Sequence, residues 1–315
     1  MRPAIASLML GVSLVAQSTT APIDAQLIRS TVESLARVIQ QEYFDLAVAE
    51  KADAALKAAL ASGRYSAAPS PEALAGALTR DLSAVTRDKH LSVAVAPPPT
   101  ATPPAGGPSR TQRDQPTEAG FRRVEILPGN IGYLDLTMFL RLTEHRAAMA
   151  AAMKTLQPAR ALILDMRENG GGSPDTVVLL LSYLFDEPSL PIMEIIPRSG
   201  ERQTYQTEPA SAKIERNGTR PVFVLTSRRS FSGGEGLAYL LQERKRATII
   251  GEQTAGAANP GRPYPVNEVF EVTVPNGRIR SAIKRSNWEG DGVTPDVIVP
   301  AATALEVALE RARMR

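Results

Sequence analysis

Residues 222–242, VFVLTSRRSFSGGEGLAYLLQ, join an apolar run (Val222, Phe223, Val224, Leu225) to an amphipathic helix through a loop that carries Ser227, Ser230 and Ser232. The run is apolar at every position rather than at alternate ones, so it is expected to be a strand buried on both faces. A strand followed directly by a helix is the unit from which a mostly parallel, helix-covered sheet is built. Ser232-Gly233-Gly234-Glu235 fits the S-x-x-E capping box, in which the serine oxygen takes an orphan N–H and the glutamate takes the serine N–H. A serine at this junction is also placed for attack, because a helix N-terminus favours developing negative charge. The stretch alone leaves cap and nucleophile open, and Ser227 and Ser230 read as loop residues.

Outward from this unit the same alternation continues. IGYLDL (131–136), RALILDMR (160–167), LPIMEIIPR (190–198) and ATIIGEQTAG (247–256) read as strands, and EHRAAMAAAMKTL (144–156) and SPDTVVLLLSYLF (173–185) as helices. EVFEVTVPNGRIR (268–280) reads as a hairpin turning at Asn276-Gly277. Towards the N-terminus the period changes to that of helices in 27–44, 50–63 and 70–85, with Ser70-Pro71 as a cap followed by proline at the first helical position. Between the two regions, residues 97–120 are so rich in Pro, Gly and small polar residues that they are expected to form a linker or exposed loop. The expected organisation is therefore a helical domain over 22–96, a linker over 97–120 and an α/β core over 121–315.

Composition narrows the function. The chain has 315 residues, 43% of them hydrophobic, enough for a substantial core. Lys and Arg number 36 against 33 Asp and Glu, with no basic run or aromatic-basic array, so a nucleic-acid partner is not expected. Residues 1–21 combine Arg2, an apolar run over about 4–16 and small residues near Ala16 and Ala21, the layout of a secretory signal peptide. That run is too short to span a bilayer, and an exported protein, periplasmic or secreted, with no stable membrane span is expected. With no cysteine and only two histidines, His90 and His145, neither a thiol nucleophile nor a multi-histidine metal site is available.

Three further features carry possible chemistry. ILDMRENGGGSPD (163–175) runs from a buried strand into Gly170, Gly171 and Gly172, where backbone N–H groups can face a ligand unobstructed. His90 stands in RDKHLSV, two residues after Asp88 and just before a short strand at 91–95. SNWEGDGVTPDVIV (286–299) offers Glu289 or Asp291 as an acid to orient a histidine. His145, among polar residues near a helix start, is expected to be solvated and without a role.

Taken in order, DKHLSV, LDMRENGGG, TSRRSFSGGEGLAYLL, ATIIGEQTAGAA and WEGDGVTPDVIV resemble the motifs of the tail-specific, carboxy-terminal processing superfamily of serine peptidases. Within it the chain is most similar to the branch of tricorn core peptidases and interphotoreceptor retinoid-binding protein modules, from about Leu27 onward. The resemblance implies a ClpP/crotonase-like β/α core, Ser232 as nucleophile, His90 as general base and Glu289 as the positioning acid. It also implies an oxyanion hole from Gly233 N–H and an N–H of Gly171 or Gly172, acting on a peptide or protein substrate without metal or organic cofactor. These roles are those that acyl transfer requires. The chain departs from the better-known members at Gly256-Ala257-Ala258, where alanine stands in place of a lysine base, which disfavours a Ser-Lys dyad. It also has Gly290 for a usual asparagine, Lys89 where tricorn-type enzymes have serine, and no segment expected to be a PDZ domain. The rival reading is a non-catalytic module of the same fold that holds a retinoid- or fatty acid-like ligand; a third is a scaffold whose glycine loops are only turns.

Overall fold

The computed structural model describes residues 23–97, 120–212 and 214–314. The expected signal peptide and nearly all of the expected linker lie outside the described residues. In chain order the elements are α1 (Ala25–Glu42), α2 (Leu46–Ala61), α3 (Pro71–Thr86), β1 (Ser92–Val95), β2 (Phe121–Leu127), β3 (Ile131–Leu136), α4 (Leu142–Leu156) and β4 (Ala161–Asp165). There follow α5 (Pro174–Leu184), β5 (Pro191–Pro197), β6 (Gln203–Gln206), β7 (Val222–Thr226), α6 (Gly233–Glu243) and β8 (Thr248–Gly251). The chain ends with β9 (Gly261–Pro265), β10 (Phe270–Pro275), β11 (Gly277–Ser281), β12 (Val297–Ile298) and α7 (Ala304–Arg313).

The central sheet has the order β12-β8-β7-β4-β3-β2. Every neighbouring pair is parallel except β2 and β3. Its apolar runs are uninterrupted because both faces are covered. Leu162, Leu164, Val222 and Val224 point into a core shared with α4, α5 and α6, while Ile163, Phe223 and Leu225 meet Ala304, Ala308 and Ala312 of α7. Each such burial contributes about 1.5–3 kcal/mol, so these alternating contacts fix both the sheet and the layer on each side of it.

The first three helices start where the sequence caps them. Asp24, Asp45 and Ser70 accept the N–H groups of Gln26, Val48 and Ala73. They do not make a core alone: Phe270, Val272 and Val274 of β10 complete it, packed with Val32, Leu35, Leu56 and Leu78. β10 pairs antiparallel with β1 on one side and β9 on the other, which binds the segment containing His90 to the C-terminal part of the chain.

Three expectations are corrected. Asn276-Gly277 is no hairpin turn: β10 and β11 do not pair, and β11 joins β5 and β6 in a separate antiparallel sheet. A two-residue turn of the Asn-Gly type needs positive φ at both central residues, and neither has it, so the chain passes from one small sheet to the other. LPIMEIIPR is a strand, but it pairs antiparallel with β6 and β11 and lies outside the central sheet. His145 is not solvated but fully buried; its Nδ1 accepts the Leu140 N–H at 3.1 Å and its ring meets the Phe121 ring edge-on at 4.8 Å. The polar neighbours that suggested exposure, Thr143, Glu144 and Arg146, are themselves exposed.

Candidate active site

The loops that follow β4, β7 and β8 lie together at the carboxyl ends of parallel strands, where ligands of open α/β sheets bind. β7 ends at Thr226, and the chain is held by side-chain hydrogen bonds before the helix begins. Ser230 Oγ donates to Met166 O at 2.7 Å and accepts Ser227 N–H at 2.9 Å, which gives both serines structural work.

Ser232 then adopts φ 51 and ψ −115, a region that costs a non-glycine residue about 1–3 kcal/mol and persists only where the surroundings impose it. Glu235 Oε2 accepts the Ser232 N–H at 2.8 Å, the returning half of the capping box. Ser232 Oγ also lies 3.0 Å from His90 Nε2. Cap position and contact with histidine therefore coincide in one residue.

His90 reaches Ser232 from the other end of the chain. Asp88 Oδ1 accepts the His90 N–H at 3.0 Å, and Glu289 Oε1 accepts the Lys89 N–H at 3.1 Å, so two carboxylates hold consecutive amides of the histidine turn. The Phe231 ring packs on the imidazole at 4.9 Å. Burial lowers the His90 pKa from 6.5 to about 4, which keeps the ring neutral at neutral pH. A neutral imidazole facing a hydroxyl can accept its proton.

The turn after β8 ties these pieces together. Glu235, fully buried, accepts Gly256 N–H at 2.6 Å and Ala257 N–H at 2.9 Å. Glu289 Oε2 accepts Ala258 N–H at 2.7 Å and Asn259 N–H at 2.9 Å. The lysine-free turn thus presents its amides to one glutamate beside the serine and another beside the histidine. Burial raises the Glu235 pKa, opposed by those hydrogen bonds. Asp291, the alternative acid, is exposed.

The glycine loop completes the site. Buried Asn169 donates from Nδ2 to Leu136 O at 2.8 Å and accepts Gly171 N–H through Oδ1 at 2.8 Å. At Gly171, φ is +96 and a Cβ would stand 2.6 Å from Ser232 Cβ; at Gly172, φ is +125 and a Cβ would stand 1.9 Å from Phe139 O. Only glycine permits this approach to the serine. Gly171 N–H is spent on Asn169, whereas Gly172 and Gly233 N–H have no acceptor among the described residues. Beside them opens a pocket of about 380 Å³, lined by His90, Ser232, Val177, Met193, Leu240 and Trp288 among others.

Sequence reasoning placed Ser232, His90, Glu289, Gly171, Gly172 and Gly233, and all six meet here. It missed Asp88, Asn259, Tyr43 and the second role of Glu235, since side-chain hydrogen bonds across distant segments leave no periodic trace; the Asp88-x-His90 spacing was the one signal available. Among the described residues, Asp88, His90 and Glu289 are the group able to hold a metal ion, with one donor atom from each within 4.8 Å of the others.

Residues 130–299 match peptidase family S41, and residues 25–124 match the N-terminal domain of peptidase S41 in eukaryotic IRBP. A carboxy-terminal-processing protease of Bartonella bacilliformis is 28% identical over 183 residues, 54% of this chain and 39% of the relative. The chain spans two fifths or less of the length of the curated relatives it matches first. A solved structure from Parabacteroides merdae superposes with a TM-score of 0.62 at 18% identity, covering 90% of this chain and 96% of that one. The photosystem II D1 C-terminal processing protease does so with a TM-score of 0.54 at 17% identity, covering 92% and 97%. These likenesses share the fold described above, and with a family match extending over more than half of its length the chain belongs to peptidase family S41.

Proposed function

We propose that this chain is an exported serine peptidase that hydrolyses peptide bonds through an acyl-enzyme, with Ser232 as nucleophile and His90 as general base. The observation that carries this reading is Ser232 itself: a strained backbone at a strand-to-helix junction, with its hydroxyl 3.0 Å from a neutral histidine. Ser232 Oγ attacks the substrate carbonyl carbon as its proton passes to His90 Nε2. The resulting oxyanion is received by the N–H groups of Gly233 and Gly172. Collapse breaks the C–N bond, His90 returns the proton to the leaving amine, and water repeats the sequence on the ester. Glu289 acts as the positioning acid by holding the Lys89 amide and the 258–259 turn. The apolar stretch near residues 4–16 supports export to the periplasm or beyond.

The test is covalent labelling of the purified protein with a fluorophosphonate, followed by peptide mass spectrometry. An adduct on Ser232 is expected, with labelling lost in Ser232→Ala and slowed by ~10²–10⁴-fold in His90→Ala, the usual worth of a general base. Labelling of wild type and His90→Ala at equal rates overturns this mechanism. The apolar pocket beside Ser232 favours one second reading, a module that holds a hydrophobic ligand without turnover. An unlabelled serine together with a co-purifying lipid would select it.

A further inference from the structure

Asp88 is almost fully buried, 1% exposed, and it is held from three parts of the chain. Oδ1 accepts the His90 N–H at 3.0 Å, while Oδ2 accepts Asn259 Nδ2–H at 3.0 Å and the Tyr43 hydroxyl at 3.4 Å. Tyr43 ends α1 in the helical region, and Asn259 belongs to the turn after β8. The network then closes on Glu289: Asn287 Nδ2 donates to Asn259 Oδ1 at 3.3 Å, Asn287 Oδ1 accepts Glu289 N–H at 3.0 Å, and Glu289 accepts the Lys89 and Asn259 amides.

Two features of this ring lack a structural explanation. Neither Asp88 nor Glu289 forms an ion pair with Lys or Arg among the described residues. His90 Nδ1 is buried and has no hydrogen-bond partner, although a donor atom of each of the three residues lies within 4.8 Å of the others. Two carboxylates beside one neutral imidazole, with no ion-paired cation among the described residues, are a costly arrangement. They match the state in which His90 is an imidazolium.

We propose that Asp88 is a positioning residue whose charge, added to that of Glu289, stabilises the protonated form of His90 while its Oδ1 fixes the turn that aims Nε2 at Ser232. This rests on the peptidase reading given above. The proton balance is simple: the Ser232 O–H bond breaks, its electron pair stays on Oγ for attack, and the proton on Nε2 makes His90 the cation that the carboxylates lack. The benefit appears only in the charged state, so it acts on the rate rather than on substrate affinity.

Asp88→Asn separates the two duties, since the amide oxygen can still accept the His90 N–H but the charge is gone. The expected result is fluorophosphonate labelling at least ~10-fold slower, as befits loss of a charge near a titrating group. The double variant Asp88→Asn/Asn259→Asp reverses one hydrogen bond and restores the charge next door, and it should recover much of the rate. With only two histidines in the chain, imidazole NMR resolves His90 once His145 is substituted. In wild type the His90 signals should show a step near pH 6, where Asp88 beside it takes up a proton, and that step should be absent from Asp88→Asn.

The wild type supplies a test that no folding defect can spoil. Burial and Glu289 push Asp88 up to about 6, and burial lowers His90 to about 4. The groups that face Asp88 are Tyr43, Asn259, His90 and Glu289, with Asp45, Arg278, Arg280 and Arg285 lining the adjoining cavity. The labelling rate of wild type should therefore begin to fall near pH 6 as Asp88 takes up a proton. A single acid limb near pH 4, or Asp88→Asn labelling within about twofold of wild type, leaves Asp88 a turn residue and overturns the proposal. If wild type fails to label at all, the peptidase reading falls, and the NMR step near pH 6 alone decides whether the charge of Asp88 is felt at His90.

Discussion

Replacing His145 by leucine should change how the protein responds to acid far more than how it behaves at neutral pH. His145 is fully buried, and because its Nδ1 accepts the Leu140 N–H, its ring proton must sit on Nε2, which has no partner. Leucine loses one hydrogen bond and also removes one unsatisfied donor. These changes oppose each other at about 1–3 kcal/mol apiece, so the net effect near pH 7.5 should be small. Protonation is a different matter, since an imidazolium would point N–H at N–H across the Leu140 contact. Burial holds the His145 pKa at about 4 against 6.5 in the unfolded chain. The folded state thus binds fewer protons between those values, and stability is lost as pH falls from 6.5 towards 4. The full effect is roughly 3 kcal/mol, of which about 2.5 kcal/mol is expressed at about pH 4.5. Urea unfolding of wild type and His145→Leu from about pH 7.5 to 4.5 should show the variant gaining about 2.5 kcal/mol relative to wild type. His90, Asp88 and Asp135 also titrate with altered values, but they are common to both proteins and cancel in the difference. A stability difference constant within ~0.5 kcal/mol over this range would refute the reasoning.

Two substitutions in the glycine loop test the architecture around Ser232. Asn169→Ala leaves Leu136 C=O and Gly171 N–H buried and unpaired, and should cost about 2–5 kcal/mol in urea unfolding; a loss under ~0.5 kcal/mol would mean the loop holds itself. Gly171→Ala drives a Cβ to 2.6 Å from Ser232 Cβ, and should slow fluorophosphonate labelling by at least ~10-fold while the circular dichroism stays native. Gly290→Ala is the control, since Gly290 also has positive φ but open space around it; equal labelling by both variants would show that only backbone strain is at stake.

Much of the fold was legible because two-sided burial writes itself into sequence. Ala161 to Asp165 and Val222 to Thr226 are buried at every position, as strands covered on both faces require. The Ser70 cap and Pro174 at the first turn of α5 were legible because capping is local. The Asn276-Gly277 hairpin misled because the dipeptide permits a tight turn without demanding one, and strand pairing depends on partners more than 70 residues away, Pro197 for Gly277. His145 misled because a helix face is defined by what packs on it, and Phe121 arrives from outside the local pattern.

The sequence by itself determined the parallel core, the helical start, the loops at the strand ends and the identity of the residues that meet there. The tertiary structure decided the rest: that Ser232 is strained and turned to His90, that Gly171 N–H is already taken, and that Asp88 joins Glu289 behind the histidine. The physical reason is range. Periodicity, capping and turn chemistry act within a few residues and are recorded in order along the chain. Hydrogen bonds such as Asn259 to Asp88, and contacts such as His90 to Ser232, join residues separated by 171 and 142 positions, and only the packed chain brings them within 3.0 Å.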